Sequence, residues 1–347
     1  MASRRGDGHR LIRWLWTGRS LEAKIARAGL VPISGLWRTV SAIRNFAFDR
    51  GLARVTDLGL PTVAVGNLTV GGSGKTPIAR WIAARYAASG VVPGVLLRGY
   101  GRDEVLIHEQ GEPGAVVVAD PDRVAGGAQA AKRGAQVLVL DDAFQRRDVR
   151  RDFNVLLVSA ESMGAARWCL PAGPWREPLA QARRADFVLV TRKRADAGAA
   201  GAAVRELAEV TRVPVGRVHL GVKQYVGMVT GRPTPVEALT GARVVAASAI
   251  ADPAGFIAQT KATGAQVQAA TWRDHHEFDD ADVAWLAQAG RKADFLILTE
   301  KDAVKLRDRW PASVREPLVA ILAVEWEDQE AAFCHHLDAL VSRHQPV

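Results

Sequence analysis

The chain has 347 residues, 48% hydrophobic and 24% charged, the balance of a globular protein with room for two cores rather than of a disordered or fibrous one. No apolar run approaches the roughly 18 residues of a membrane span, and the two cysteines, Cys169 and Cys334, are too few for a disulfide framework or a zinc site and suit a reducing compartment. Residues 1–54 carry +8 of the net charge of +9, which argues against a nucleic-acid face spread over the body of the protein, and no nucleic acid is expected as a partner.

Near the N-terminus Leu11, Trp14 and Leu15 fall at i, i+3 and i+4, with Arg10, Arg13 and Arg19 among them, which predicts a helix with one apolar and one basic side. A basic helix carrying Trp suits the interface of an anionic membrane, so residues 1–30 read as a membrane-contact segment. The first residues are charged and show no cleavage site, so no signal peptide is expected. From residue 62, short apolar runs at 62–66, 94–97, 115–119, 137–140, 154–158 and 187–190 alternate with Ala-rich helical stretches. β-Branched runs separated by helices predict parallel strands of an α/β sheet. Residues 216–236 hold two strand-like stretches with Gly and Pro and read as a linker, after which a second set of runs follows at 243–250, 266–271, 294–299 and 318–324.

The first run leads into VGNLTVGGSGKTP, residues 65–77, and then into an apolar helix from Ile78. Strand, glycine loop and helix is the context of a P-loop, which makes Thr69, Val70, Gly71, Gly72, Ser73, Gly74, Lys75 and Thr76 the expected nucleotide-binding residues. Gly71, Gly72 and Gly74 let backbone amides converge on phosphate oxygens, Lys75 would reach the β/γ-phosphates, and the Thr76 hydroxyl would hold Mg²⁺. The strict pattern has glycine where this chain has Thr69. The run 137–140 ends in Asp141-Asp142, and carboxylates at a strand end beside the phosphate loop are metal candidates. Spacing does not choose between them. Together these features predict an α/β fold: a P-loop NTPase-like domain with a parallel sheet over 31–215, a strand linker over 216–236, and a second, smaller α/β domain over 237–347.

Loop and acidic pair point to NTP hydrolysis or phosphoryl transfer without naming an acceptor. Five further strings narrow the choice: RGYG (98–101) before Asp103-Glu104, DDAFQ (141–145), LPAGPWREP (170–178), DHH (274–276) and TEKD (299–302). In this order, over roughly residues 30–307, the chain resembles the tetraacyldisaccharide 4′-kinases of lipid A biosynthesis. The resemblance implies transfer of the ATP γ-phosphate, with Mg²⁺, to the 4′-hydroxyl of an acylated glucosamine disaccharide 1-phosphate. It implies a peripheral protein at the cytoplasmic face of an inner membrane, with the active site between two α/β domains and completed by their closure. It carries a catalytic Asp–His pair onto Asp103 and His275, the carboxylate taking or orienting the hydroxyl proton and the imidazole holding the carboxylate. It further implies Glu104 and Glu177 in the metal shell, Arg176 on a phosphate, and Arg123 and Gln145 close to the site. Lys301 and Asp302 are expected to brace a strand end of the second domain. Ala143, Arg146 and Trp175 depart from the Gly, His and Leu usual in the family pattern.

A P-loop GTPase would need [NT]-K-x-D, and in TEKD no residue separates Lys301 from Asp302. A membrane-associated ATPase switch would carry an extra lysine early in its loop, and residues 69–74 contain none. Neither reading gives a reason for DHH or LPAGPWREP.

Overall fold

A computed structural model describes residues 7–99, 102–111, 114–164 and 166–343; residues 1–6 of the expected membrane segment, and Tyr100 and Gly101 of the RGYG string, lie outside the described residues. In chain order the elements begin with helices α1 (Asp7–Thr17) and α2 (Leu21–Asp49). An alternating run follows: β1 (Thr62–Asn67), α3 (Lys75–Ala88), β2 (Pro93–Leu97), α4 (Arg102–Gly111), β3 (Val116–Ala119), α5 (Arg123–Lys132) and β4 (Val137–Leu140). It continues through β5 (Phe153–Ser159), α6 (Ala160–Met163), β6 (Phe187–Arg192), α7 (Ala197–Thr211), the long β7 (Val215–Gly227) and the short β8 (Pro233–Thr234). Then come β9 (Arg243–Ser248), α8 (Pro253–Ala262), β10 (Gln266–Thr271), α9 (Asp280–Lys292), β11 (Phe295–Thr299), α10 (Glu300–Leu306), β12 (Leu318–Asp328) and α11 (Glu330–Ser342).

The chain divides into two compact units. The first takes the described residues up to 99, His108–His219 and those from Trp326 onward; the second takes 102–107 and Leu220–Glu325. β7 passes from the first into the second and β12 passes back. Within the first unit the strand order is β7-β6-β5-β1-β4-β2-β3, and every pairing along it is parallel. All six residues of β1 are buried, as expected of a central strand covered on both faces, and this is why its sequence shows no polar alternation.

Residues 326–343, which the sequence places with the second domain, pack in the first unit. Phe333 of α11 sits 5.0 Å from Phe187 and 5.9 Å from Trp81 between ring centroids, Arg85 clasps Asp338 with two contacts of 2.8 Å, and the Tyr86 hydroxyl donates to Leu337 O at 3.1 Å. The N-terminal boundary at residue 30 likewise falls inside α2, which runs unbroken from Leu21 to Asp49.

Helix α2 is amphipathic in an inverted sense. Its buried residues are Ala23, Ser34 and Asn45, whereas Leu21, Ile25, Ile33, Leu36, Trp37, Val40, Ile43 and Phe46 are exposed. The buried side holds the proline-rich loop: Ser34 Oγ donates to Cys169 O at 2.9 Å and accepts from Ala172 N at 3.1 Å. Trp37 Nε1 donates to Arg176 O at 2.8 Å. Arg27 caps the end of α1 through Leu15 O and Gly18 O, both at 2.9 Å. No described helix is long and apolar enough to cross a membrane.

The second unit orders its strands β10-β9-β11-β12-β7, with β10, β9, β11 and β12 parallel. It has cores of its own, one around Met228, Phe278, Leu286 and Leu298 and another around Tyr225, Phe256 and Ile297.

Two glycines test this packing. A Cβ on Gly66 of β1 would stand 2.5 Å from Phe144 N and 2.6 Å from Phe144 Cβ, whereas one on Gly29, in the middle of α2, would meet nothing within 4 Å. Gly66→Ala should therefore lose about 1–3 kcal/mol in chemical denaturation, and Gly29→Ala should gain about 0.5–1 kcal/mol by helix propensity.

Candidate active site

The phosphate loop leaves β1 at Asn67 and enters α3 at Lys75. Gly71 (φ 125°) and Gly74 (φ 88°) take up conformations that a Cβ would disfavour, and they turn the chain sharply enough to aim the N-terminus of α3 at the loop's interior. The loop is held from behind. Thr69 bridges Trp175, Val70 N donates to Pro174 O at 2.7 Å, Asn67 Nδ2 donates to Ser73 Oγ at 2.7 Å, and Thr191 Oγ1 donates to Ser73 O at 2.9 Å.

Beside it, β4 pairs with β1 so that Leu140 lies opposite Ala64, which delivers Asp141 to the mouth of the loop. Thr76 Oγ1 donates to Asp141 Oδ2 at 3.1 Å. The other oxygen, Asp141 Oδ1, is buried without a hydrogen-bond partner. Burial by itself would raise the Asp141 pKa, but His108, Lys75 and Thr76 more than reverse it and keep the group ionised. A buried anionic oxygen without a donor next to a threonine hydroxyl fits a hard divalent cation. Among the described residues no three His, Cys, Asp or Glu side chains are grouped as a protein cage would need. Mg²⁺ is ordinarily held by one or two protein groups together with substrate phosphates, and Thr76 and Asp141 would be two such groups.

The remaining carboxylates expected around a metal each have charged partners in this structure. Asp142, in the left-handed region at φ 52°, receives Arg176 through Nη1 at 3.0 Å and Nη2 at 3.3 Å, and Lys75 Nζ lies 3.7 Å away. It gathers the two cations a phosphate would draw on. Glu177 is buried and accepts from Arg184 Nη2, Asn45 Nδ2 at 2.7 Å and Gln145 Nε2 at 3.3 Å. Its task is to set the loop that carries Arg176. Gln145 also donates to Asn67 O at 2.8 Å and accepts from Arg176 at 3.3 Å. Arg123, fully buried, donates to Asp120 O at 3.1 Å and Asp141 O at 3.3 Å. It fixes the backbone under Asp141, and burial lowers its pKa to about 10.

Within the second unit, the first turn of α4 brings Asp103 to His275. Asp103 Oδ2 is buried, with His275 Nδ1 at 3.3 Å and Lys305 Nζ at 3.5 Å. Neither contact has hydrogen-bond alignment, so the carboxylate is held by charge. Burial would raise its pKa, but His275, Lys305 and Lys301 hold it well below the usual carboxylate range. Asp103 in turn raises the His275 pKa, against the partial desolvation of the imidazole. Glu104 is paired with Lys301 at 2.9 Å, a partner that competes with the metal role expected for it.

Three contributors carried no signal in the sequence, and a fourth, His276, lies in the DHH string without an assigned role. His108, wholly buried, lies 3.5 Å from Asp141 Oδ2. Lys193 donates to Gly72 O at 2.8 Å from a turn whose amides at 193, 194 and 195 all donate to Glu161. Lys305 braces Asp103. His276 is locked at 2.7 Å to Asp282, which belongs to the capping box of α9. A run of three amides on one carboxylate and a buried histidine both depend on long-range contacts that spacing does not show.

The sequence profile of a family described as tetraacyldisaccharide-1-P 4′-kinase matches residues 26–106 and 103–342. Similar proteins include the tetraacyldisaccharide 4′-kinase of Anaeromyxobacter sp. (strain Fw109-5), 35% identical over 96% of this chain and 97% of that one. Another is that of Aromatoleum aromaticum, 33% identical over 88% and 93%. Among solved structures, LpxK from Aquifex aeolicus in complex with ATP matches with a TM-score of 0.68 and 25% identity, covering 92% of this chain and 99% of that one.

The contact between Asp103 and His275 is open to a direct check. In an NMR titration His275 should titrate above the ordinary histidine value near 6.5 and fall back in Asp103→Asn. Because the His275 pKa is raised and the Asp103 pKa lowered, the pair's stabilisation is complete between the unfolded carboxylate and imidazole values and fades as pH rises through the folded His275 value. The stability gap between the native protein and Asp103→Asn should accordingly be wider at acidic than at alkaline pH.

Proposed function

This chain belongs to the tetraacyldisaccharide-1-P 4′-kinase family, and on that premise we propose that it transfers the γ-phosphate of ATP to the 4′-hydroxyl of a tetraacyldisaccharide 1-phosphate. The observation that carries this reading is the Thr76–Asp141 contact at the mouth of a glycine loop that opens into α3. The loop and the N-terminus of α3 cradle the phosphates, and Lys75 neutralises their charge. Thr76 and Asp141 are the residues that would hold Mg²⁺, whose chemistry when bound is to neutralise charge on the β- and γ-phosphates. Arg176, presented by the loop over Glu177, contacts a phosphoryl oxygen in exchange for Asp142. Asp103 orients the acceptor hydroxyl and takes its proton, and His275 holds Asp103 in place. The phosphate loop lies in the first unit, and the Asp–His pair lies in the second.

An acylated substrate stays in its bilayer, so the enzyme has to come to it. The exposed apolar face of α2, continued by Leu11 and Trp14 of α1, is the surface that meets the lipid. Arg38, Arg44, Arg50 and Arg54 on the same stretch suit anionic headgroups. We place the protein peripherally, at the cytoplasmic face of an inner membrane. A P-loop switch would give the Asp103–His275 pair no work.

With γ-labelled ATP, Mg²⁺ and the lipid in mixed micelles, the native protein should label the lipid. Lys75→Ala should lose both transfer and nucleotide affinity. Asp103→Ala and His275→Ala should lose transfer by about 10²–10⁴-fold while still binding ATP. ATP hydrolysis without lipid labelling by the native protein would overturn the kinase reading. Replacing Leu36 and Val40 by Glu should weaken binding to anionic vesicles by about tenfold or more for each residue, with ATP affinity unchanged. Undiminished vesicle binding would remove α2 from the membrane.

A further inference from the structure

The TEKD string has so far only a bracing role. Thr299 caps α10, its hydroxyl oxygen 3.3 Å from Asp302 N. In an ordinary capping box the acid three residues on reaches back to the amide of the capping residue. Here Asp302 reaches elsewhere. Its Oδ2 receives the Thr299 hydroxyl at 2.5 Å, and both its oxygens face Ala249 N, at 3.2 and 3.1 Å. Asp302 has no exposed surface, so this grip on Ala249 is shielded from water.

Ala249 follows directly on the end of β9, and its carbonyl accepts the backbone N–H of His275 at 3.2 Å. Ala249 is thus held on one side by Asp302, and on the other it shares the His275 N–H with Asp274 Oδ1, which lies at 3.1 Å. His275 needs holding, because it sits in the left-handed region at φ 55°, where a residue with a Cβ persists only if its surroundings enforce it. One turn beyond Asp302, Lys305 donates to His276 O at 3.1 Å and lies 3.5 Å from Asp103 Oδ2. One face of α10 therefore fixes the backbone on both sides of the imidazole, as well as the carboxylate the imidazole meets.

We propose that Asp302 is a positioning residue for phosphoryl transfer: through Ala249 it sets the strained backbone of His275 and so the contact of the imidazole with Asp103. This rests on the reading of Asp103 and His275 as the pair that prepares the acceptor hydroxyl. The route from Asp302 to His275 runs through Ala249.

The test compares Asp302→Ala, Asp302→Asn and Thr299→Val with Asp103→Ala and His275→Ala in the micellar assay, and follows the imidazole ¹⁵N shifts of His275. Asp302→Ala should lower kcat by 10- to 100-fold and leave the KM for ATP within twofold. It should also move the His275 shifts towards those of the Asp103→Ala variant. Asp302→Asn, whose amide oxygen can still accept from Ala249 N, should restore most of the loss. Thr299→Val, which removes the cap but leaves the grip on Ala249, should lower Tm without moving the His275 shifts. If Asp302→Ala does not fold, Asp302→Ser, too short to reach Ala249, carries the same expectations. Unchanged kcat or unchanged His275 shifts in Asp302→Ala would overturn the proposal, as would equal effects from Thr299→Val. Full transfer by Asp103→Ala and His275→Ala would overturn the underlying pair instead, and the two failures are thereby told apart.

Discussion

The parallel pairing of β4 against β1 is the constraint on which the nucleotide end of this protein depends. With Leu140 opposite Ala64 and Ala143 N bonded to Val65 O at 2.9 Å, the chain has to turn within two residues of the strand end. Asp141 is left pointing at Thr76, and Asp142 absorbs the turn at φ 52°. The same turn brings Phe144 against β1 so closely that only glycine fits at position 66. Strand register, a strained aspartate and a glycine in a buried strand are consequences of one pairing. A carboxylate delivered by a rigid parallel sheet is also better placed than one on a free loop to hold a fixed distance from the phosphate loop.

Helix α2 links that end to a surface. A surface helix ordinarily turns its apolar stripe inward. Here the inward side carries Ser34 and Asn45, each bonded to the proline-rich loop or its Glu177, and the apolar stripe faces out. The inversion has a reason if the outward side meets lipid. The hydrogen bonds inward then fix Arg176 relative to a helix that is itself fixed at the membrane. On the proposed membrane reading, the hydrophobic burial forgone within the protein would be recovered in a bilayer.

Much of this was legible in the amino-acid sequence, for definable reasons. β1 and β4 to β6 announce themselves as β-branched runs because strands covered on both faces have no polar alternation to confuse them. The phosphate loop is legible because its geometry demands Gly71, Gly74, Lys75 and Thr76 in one short string. The fates of the acids were not legible. Glu177 and Glu104 read as metal ligands in isolation, and their ion pairs with Arg184 and Lys301 are not visible in spacing. Residues 326–343 read as the end of the second domain because position in the chain suggests it. Their place in the first unit is set by aromatic packing of Phe333 against Phe187 and Trp81, which no periodicity encodes.

The low basicity of Asp103 bears on the chemistry. A general base works best when its pKa lies near the working pH, yet His275, Lys305 and Lys301 together hold Asp103 far below it. Those cations would be a poor choice around a base that had to strip the hydroxyl early. Phosphoryl transfer through a loose transition state asks for less, because bond formation to the acceptor oxygen lags behind departure of the leaving group and its proton becomes acidic late. On the proposed role of Asp103, a weakly basic and closely held carboxylate would suit that sequence: it would orient the hydroxyl and accept the proton once the oxygen has become acidic. On this view the cations around Asp103 exchange base strength for position. On that proposal, Lys305 and the left-handed backbone of His275 would serve to hold one carboxylate and one imidazole in place.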